Sequence, residues 1–184
     1  MSDRMRSYRG PAKALHWIVA LLVVSTIPAG LVMVQDGIGR GLQDALFIYH
    51  KHVGVLILIL VLVRLAYRLA NPPPPLPDSV PPLQQRVAVA THWLLYAALL
   101  VMALSGYVRV VAGDFPIEFL DRLGVPPLVP ANEALAETAK SIHAITRFAL
   151  IPLVLMHIGA ALFHAVVLKD GVFASMWPGR GASS

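Results

Sequence analysis

The chain has 184 residues, of which 57% are hydrophobic and only 14% charged, with no cysteine and a formal net charge of +5. A soluble domain carries charge on about a quarter of its residues, so the deficit points to lipid as the solvent. The absence of cysteine excludes disulfides, iron–sulfur ligation and thiolate or thioether attachment of a haem. The basic excess reads as membrane topology and not as nucleic-acid binding.

Four apolar segments of spanning length organise the chain into one all-α membrane domain over 1–184, a four-helix bundle. A span needs about 20 mostly apolar residues, and each segment reaches that. The first runs over 11–35. Arg4, Arg6, Arg9 and Lys13 precede its core, but the apolar run is long and no small-residue cleavage site follows it. It therefore reads as a retained helix and not as a signal peptide. Pro11 suits a first helical turn, and Pro28 with Gly30 predicts a kink. The second span covers 46–70. Residues 71–82, NPPPPLPDSVPP, form a stiff Pro-rich linker that cannot continue a helix. The third span covers 86–112. Residues 113–140 form the longest connection, in which FPIEFLDRL and NEALAETAK predict one or two short amphipathic helices over the mouth of the bundle. The fourth span covers 141–169.

Four spans put both chain ends and the 71–82 linker on one face. That face holds nine basic residues (Arg4, Arg6, Arg9, Lys13, Arg64, Arg68, Arg86, Lys169 and Arg180) against Asp3, Asp78 and Asp170. The opposite face holds six: Arg40, Lys51, Arg109, Arg122, Lys140 and Arg147, with seven acidic residues beside them. The positive-inside rule then predicts both termini in the cytoplasm.

The seven histidines, at positions 16, 50, 52, 92, 143, 157 and 164, carry the chemistry. Ionisable groups are costly in hydrocarbon and mark function by default; a single one can be a satisfied structural hydrogen-bonder, but seven in four spans call for a common reason. His143 and His157 lie 14 residues apart, nearly four full turns, so they share a face and stand about 21 Å apart along the axis. Each needs a partner at its own depth. His50 and His52 begin the second span, on the outer side with His143. His16 begins the first span, on the inner side with His157. Neutral imidazoles on facing helices at two depths suit two stacked six-coordinate haems. A zinc site would instead gather its ligands at one point. His164 shares the face of His157 nearer the inner surface and is an alternative ligand. His92 begins the third span near the inner face, where it is either a hydrogen-bond donor to a quinone or a helix anchor beside Trp93.

The order and spacing of LHW (Leu15–Trp17), HKHVG (His50–Gly54) with VRLAYRL after it, HWLLY (His92–Tyr96), SGY (Ser105–Tyr107) and HIGAALFHAVVLKDGV (His157–Val172) resemble the bacterial cytochrome b-561 family of four-helix, di-haem membrane proteins. The resemblance runs from about Ala14 to Pro178. It implies His16 and His157 as ligands of an inner haem b and His50 and His143 as ligands of an outer one. His50 is favoured over His52 because the first histidine of an H-K-small-x-G pattern is the family's ligand; here His52 stands at the small position. Gly54, on the face of His50, would admit the porphyrin. Arg147, one turn below His143, is expected to pair with a propionate. Arg64 is a second such candidate, with snorkelling to the surface as its other reading. The resemblance further implies a multi-pass protein of the bacterial inner membrane, in lipid, that carries electrons from a periplasmic donor such as superoxide to membrane ubiquinone. His92 and His164 are its quinone candidates, and Lys51, Arg40 and Arg109 are candidates for steering the anion. The alternative is a cytochrome b subunit bound to a periplasmic redox protein, like the anchors of hydrogenases and formate dehydrogenases. Fold alone does not choose between these.

Overall fold

The computed structural model describes residues 7–179; Asp3, Arg4, Arg6 and Arg180 of the charge count lie outside them. Four long helices dominate: α1 (Gly10–Val32), α2 (Arg40–Ala70), α3 (Pro82–Ala112) and α5 (Glu133–Phe163). A short α4 (Glu118–Arg122) lies in the connection between α3 and α5. A π-helical turn, His164–Leu168, extends α5, and a short α6 (Val172–Met176) follows it. All four long helices are long and apolar enough to cross a membrane. Large apolar side chains such as Leu21, Ile145 and Phe148 face outward at 67–70% exposure. In water such a surface would drive association; in lipid it is the ordinary outer face of a bundle whose backbone groups are satisfied within each helix.

Three helices begin earlier than the apolar pattern predicts, α3 among them, at Pro82 and not near 86. α2 starts at Arg40, directly after Gly39, and not near 46. α5 starts at Glu133, so NEALAETAK is the first part of the fourth spanning helix and not a separate element. The Asn132 side chain accepts a hydrogen bond from Leu135 N at 2.9 Å, which satisfies one of the free N–H groups of the first turn. Nothing between Lys140 and Ser141 breaks a helix, so the cap at Asn132 sets the start. The connection proper is therefore 113–132, with one short helix in it. Pro28 and Pro152 both lie inside helices that continue past them.

Close backbone packing runs from α1 to α2, from α2 to α3 and from α3 to α5. The first and last described residues and the 71–81 linker meet at one end of the bundle, here the terminal face. Tyr8 N and Ser7 Oγ donate to Ser175 O, and Trp17 Nε1 donates to Met176 O. Arg9 donates to Asn71 Oδ1, which ties the chain start to the end of α2. The mid-bundle core is Val19, Val23, Ile57, Val61 and Tyr96, with Val61 1% exposed. At the opposite end, the far face, Ile117 of the connection packs against Val55 and Tyr107. Gly113 ends α3, Asp114 takes a left-handed backbone, and Asn132 N donates to Ala112 O. The connection thus leaves α3 and returns to its end.

Asp at Leu58 or Leu99 should sharply reduce membrane-inserted protein. Charge at mid-span costs about 2.5–3.5 kcal/mol on insertion scales, and Leu99 packs against the mid-bundle core. Asp at Leu123, 69% exposed in the connection, should leave the inserted yield near that of the unaltered chain. Quantifying protein in washed membranes checks both.

Paired imidazoles at two depths

α5 carries His143 and His157, and each faces a histidine from a different helix. His143 and His50 of α2 have ring centroids 6.1 Å apart with planes at 79°. His157 and His16 of α1 have centroids 6.1 Å apart at 78°. With metal–imidazole bonds of about 2 Å, two imidazoles that share one metal have centroids about 6.3 Å apart. Both pairs therefore fit a bis-histidine iron. Among the described residues no group of three or more His, Asp or Glu is arranged as a metal cage. The imidazole pairs bridge α5 to α1 and to α2, while α5 takes its close backbone packing from α3.

The far-face pair is oriented by backbone. His143 Nδ1 donates to Met102 O at 2.9 Å, and His50 Nδ1 donates to Thr26 O at 3.3 Å. Engaging Nδ1 as the donor leaves the lone pair on Nε2, the nitrogen free for iron. Two glycines make room for the rings. A Cβ at Gly30 would stand 2.7 Å from His50 Cε1, and one at Gly106 would stand 3.1 Å from His143. In the sequence Gly30 stands out only as part of a kink and Gly106 only as part of SGY; a steric need is invisible until the helices are paired. A Cβ at Gly54 meets nothing within 4 Å.

At the terminal-face pair, His16 Nδ1 is buried and has no hydrogen-bond partner. His92 places its ring 5.5 Å from that of His157, so it belongs to the same level of the bundle. His164 does not join it: its Nδ1 pairs with Asp170, whose other oxygen accepts from Val172 N.

His52 turns away from His50. Its Nε2 lies 2.8 Å from Glu118 Oε2, and its ring packs edge-on against Phe119. Lys51 Nζ donates to Glu118 Oε1 at 3.0 Å and to Pro116 O at 2.7 Å. Lys51 and His52 thereby clamp α4 to α2. Arg40 is exposed at the start of α2, and Arg109 is half-buried in α3. Arg109 acts electrostatically on both His50 and His143. Arg147 acts on His143 and lies 4.8 Å over the Phe148 ring, exposed on α5. Arg64 acts on both His16 and His157.

Burial tends to raise the Glu118 carboxyl, but hydrogen bonds from its own backbone N–H, Lys51 and His52 outweigh it and hold the group at about 2, below its ordinary 4.5. A depressed carboxyl stabilises the fold above its unfolded value and loses that contribution as pH falls through the folded one. The clamp should hold in full above about pH 4.5 and release towards pH 2. Limited proteolysis of residues 113–132 across this range checks it, and Glu118→Gln should give the released pattern at neutral pH. A separate steric test is Gly30→Leu, which should displace the His50 ring and remove the far-face haem; pyridine haemochrome counting reads the loss.

The sequence signature of the prokaryotic cytochrome b561 family matches residues 7–179. The chain is 31% identical over 164 residues to "Cytochrome b561 homolog 2" of Escherichia coli (strain K12), covering 89% of this chain and 87% of that protein. It is 29% identical over 165 residues to "Probable superoxide oxidase CybB" of Yersinia pestis, covering 89% and 92%. It is 28% identical over 173 residues to "Cytochrome b561 homolog 1" of Escherichia coli (strain K12), covering 90% and 94%. With four spanning helices and paired imidazoles between them, the chain belongs to the prokaryotic cytochrome b561 family, multi-pass inner-membrane proteins that bind b-type haem and carry electrons.

Proposed function

We propose that the chain holds two b-type haems, one between His50 and His143 and one between His16 and His157, and carries electrons across the inner membrane from a periplasmic donor to ubiquinone. The observation that carries this is the equal spacing of the two pairs, each with centroids 6.1 Å apart, at positions on α5 about 21 Å apart along its axis. The basic excess around the terminal face supports placing that face in the cytoplasm.

Bound haem supplies the one-electron chemistry; the protein supplies position and field. Met102 O and Thr26 O fix the tautomers of the far-face pair through Nδ1. The apolar side chains of the mid-bundle core keep water from the space between the two levels. At the terminal face, His92 beside His157 is placed to hydrogen-bond a quinone carbonyl, and His164, oriented by Asp170, is the second candidate.

Superoxide is the donor we favour, because a relative matched over 92% of its length is named a probable superoxide oxidase. Arg40 and Arg109 are the cations that would steer it. Lys51 is engaged by Glu118, whose charge offsets its own. The exposed apolar residues Phe115, Leu123 and Leu128 of the far-face connection, interspersed with Asp114 and Asp121, favour a second reading. In that reading a periplasmic redox protein docks there and delivers the electrons. Superoxide-driven haem reduction by the isolated chain supports the first; inertness until a partner is added supports the second.

The purified chain should contain two haems, both extracted by acid–acetone because no cysteine retains them. His50→Ala or His143→Ala should lose one, and His16→Ala or His157→Ala the other. His52→Ala and His164→Ala should keep both. Haem counting in these six variants checks the pairing: loss with His52→Ala and retention with His50→Ala would reassign α2, and loss with His164→Ala and retention with His157→Ala would reassign α5.

A further inference from the structure

Arg64 and Arg68 project from consecutive turns of α2, one helical turn being about 5.4 Å along the axis. Both guanidinium groups lie on aromatic rings of α3. Arg64 stands 5.4 Å over Tyr96, and Arg68 stands 5.6 Å over Trp93 and 5.8 Å over Tyr96. Tyr96 is 6% exposed, and both arginines are half-buried. Tyr8 of the N-terminal segment feels both charges: burial raises its phenol above the ordinary value, and Arg68 and Arg64 oppose that. Arg64 acts on His16 and His157, and both arginines act on His92. They therefore belong to the level of the terminal-face pair and to the step just beyond it.

Among the described residues no carboxylate lies within ion-pair distance of either guanidinium. Two partly buried cations placed together without an anion repel each other and lose hydration. Surface snorkelling would carry them apart into the headgroup layer; stacking on Tyr96 and Trp93 holds them in register. A guanidinium stacked on a ring spends its face on the π-system and keeps N–H groups at its edge for acceptors; Arg64 shares one of them with the Tyr96 hydroxyl and has others left. Two such edges one turn apart fit a ligand with two anionic arms.

A b-type haem has such arms. With ferrous iron and two neutral imidazoles, the porphyrin dianion and the metal cancel, and the two propionates leave a charge of −2. Arg64 and Arg68 supply +2.

We propose that Arg64 and Arg68 together form the cradle for both propionates of the haem held between His16 and His157, with Arg64 at the level of the imidazoles and Arg68 one turn nearer the terminal face. The proposal rests on the reading that this pair holds a haem. It turns Arg64 from a residue with two readings into half of a bidentate site. It also gives a role to Arg68, which the sequence marked only as a topology charge. Arg68 acts as a positioning residue for the haem, not on the electron donor or acceptor.

The test uses the full-length chain with its haems, in detergent, as Arg68→Gln, Arg68→Lys and Arg64→Gln. Redox titration follows the haem whose signal disappears in His16→Ala. Both Gln variants should release that haem roughly tenfold faster, the loss of one charge-assisted hydrogen bond, and should lower its potential, because a cation favours the reduced form. Arg68→Lys should keep most of the potential and lose part of the retention, since Lys keeps the charge without the fork. The far-face haem should be unmoved. Apoprotein is then reconstituted with haem dimethyl ester, whose arms are uncharged. The unaltered chain and Arg68→Gln should now release the haem at the same rate, since the ester removes the anionic partner of the hydrogen bond. A difference that persists with the ester, and that follows the anionic lipid content of nanodiscs, would assign the arginines to a phospholipid phosphate and overturn the proposal. Unchanged retention and potential in both Gln variants would overturn it as well. If His16→Ala removes no haem, the underlying ligand assignment has failed, whatever the arginines do.

Discussion

The position of α5 relative to α1 and α2 is set by α3. α5 takes its close backbone packing from α3, and α3 takes its own from α2. Towards α1 and α2, α5 presents imidazoles whose partners stand 6.1 Å away in both pairs, with Val154 against the mid-bundle core between them. Helices in lipid gain little from apolar contact alone, since the tails are as apolar as the side chains. A bundle can therefore hold two helices apart at ligand width without the collapse that water would force. The scaffold half, α3 with its neighbours, is packed; the ligand half is spaced. Gly30 and Gly106 mark where backbones come close enough to seat a ring, one beside each far-face histidine.

The amount of this legible in the sequence varied with the physics behind it. Hydropathy and length gave four spans, because lipid imposes them segment by segment. The 14-residue interval of His143 and His157 gave two levels, because helical rise is fixed. Helix ends were harder. Glu133, Glu137 and Lys140 read as a separate amphipathic helix outside the span because they are charged, yet charge says where the membrane stops, not where the helix stops; Asn132 as cap decides that. The separation of His50 from His52 needed the resemblance, and the clamp explains it physically. His52 is committed to Glu118, a residue 66 positions away whose approach no periodicity predicts. Arg68 was equally hidden, because its meaning lies in the rings of Trp93 and Tyr96 on another helix.

The terminal face is closed by the start of α1 and by α6. Trp17, next to His16, donates to Met176 O and stacks edge-on against Phe173 and Trp177. The left-handed turn at Lys169 and Gly171 is what brings α6 back across the bundle. Folding of this face is thus non-local: the first described residues wait for the last. The His16 level is flanked by groups drawn from α1, α2, α3, α5 and α6, whereas the clamp at the other end joins only α2 to the connection.

The far-face connection is long in sequence and short in mechanics. Lys51 and His52 hold it at Glu118, the Tyr107 hydroxyl accepts from Leu128 N, and Asn132 N returns to Ala112 O. It behaves as three small stitched loops and not as one tether of twenty residues. An engineered reporter or epitope placed among residues 116–119 would pull on the turn of α2 that follows His50. Placed between Pro130 and Ala131, both exposed and past the last stitch to Tyr107, it would hang from a segment that bears on no histidine. That junction is the natural attachment point for anything meant to read this side of the membrane in living cells.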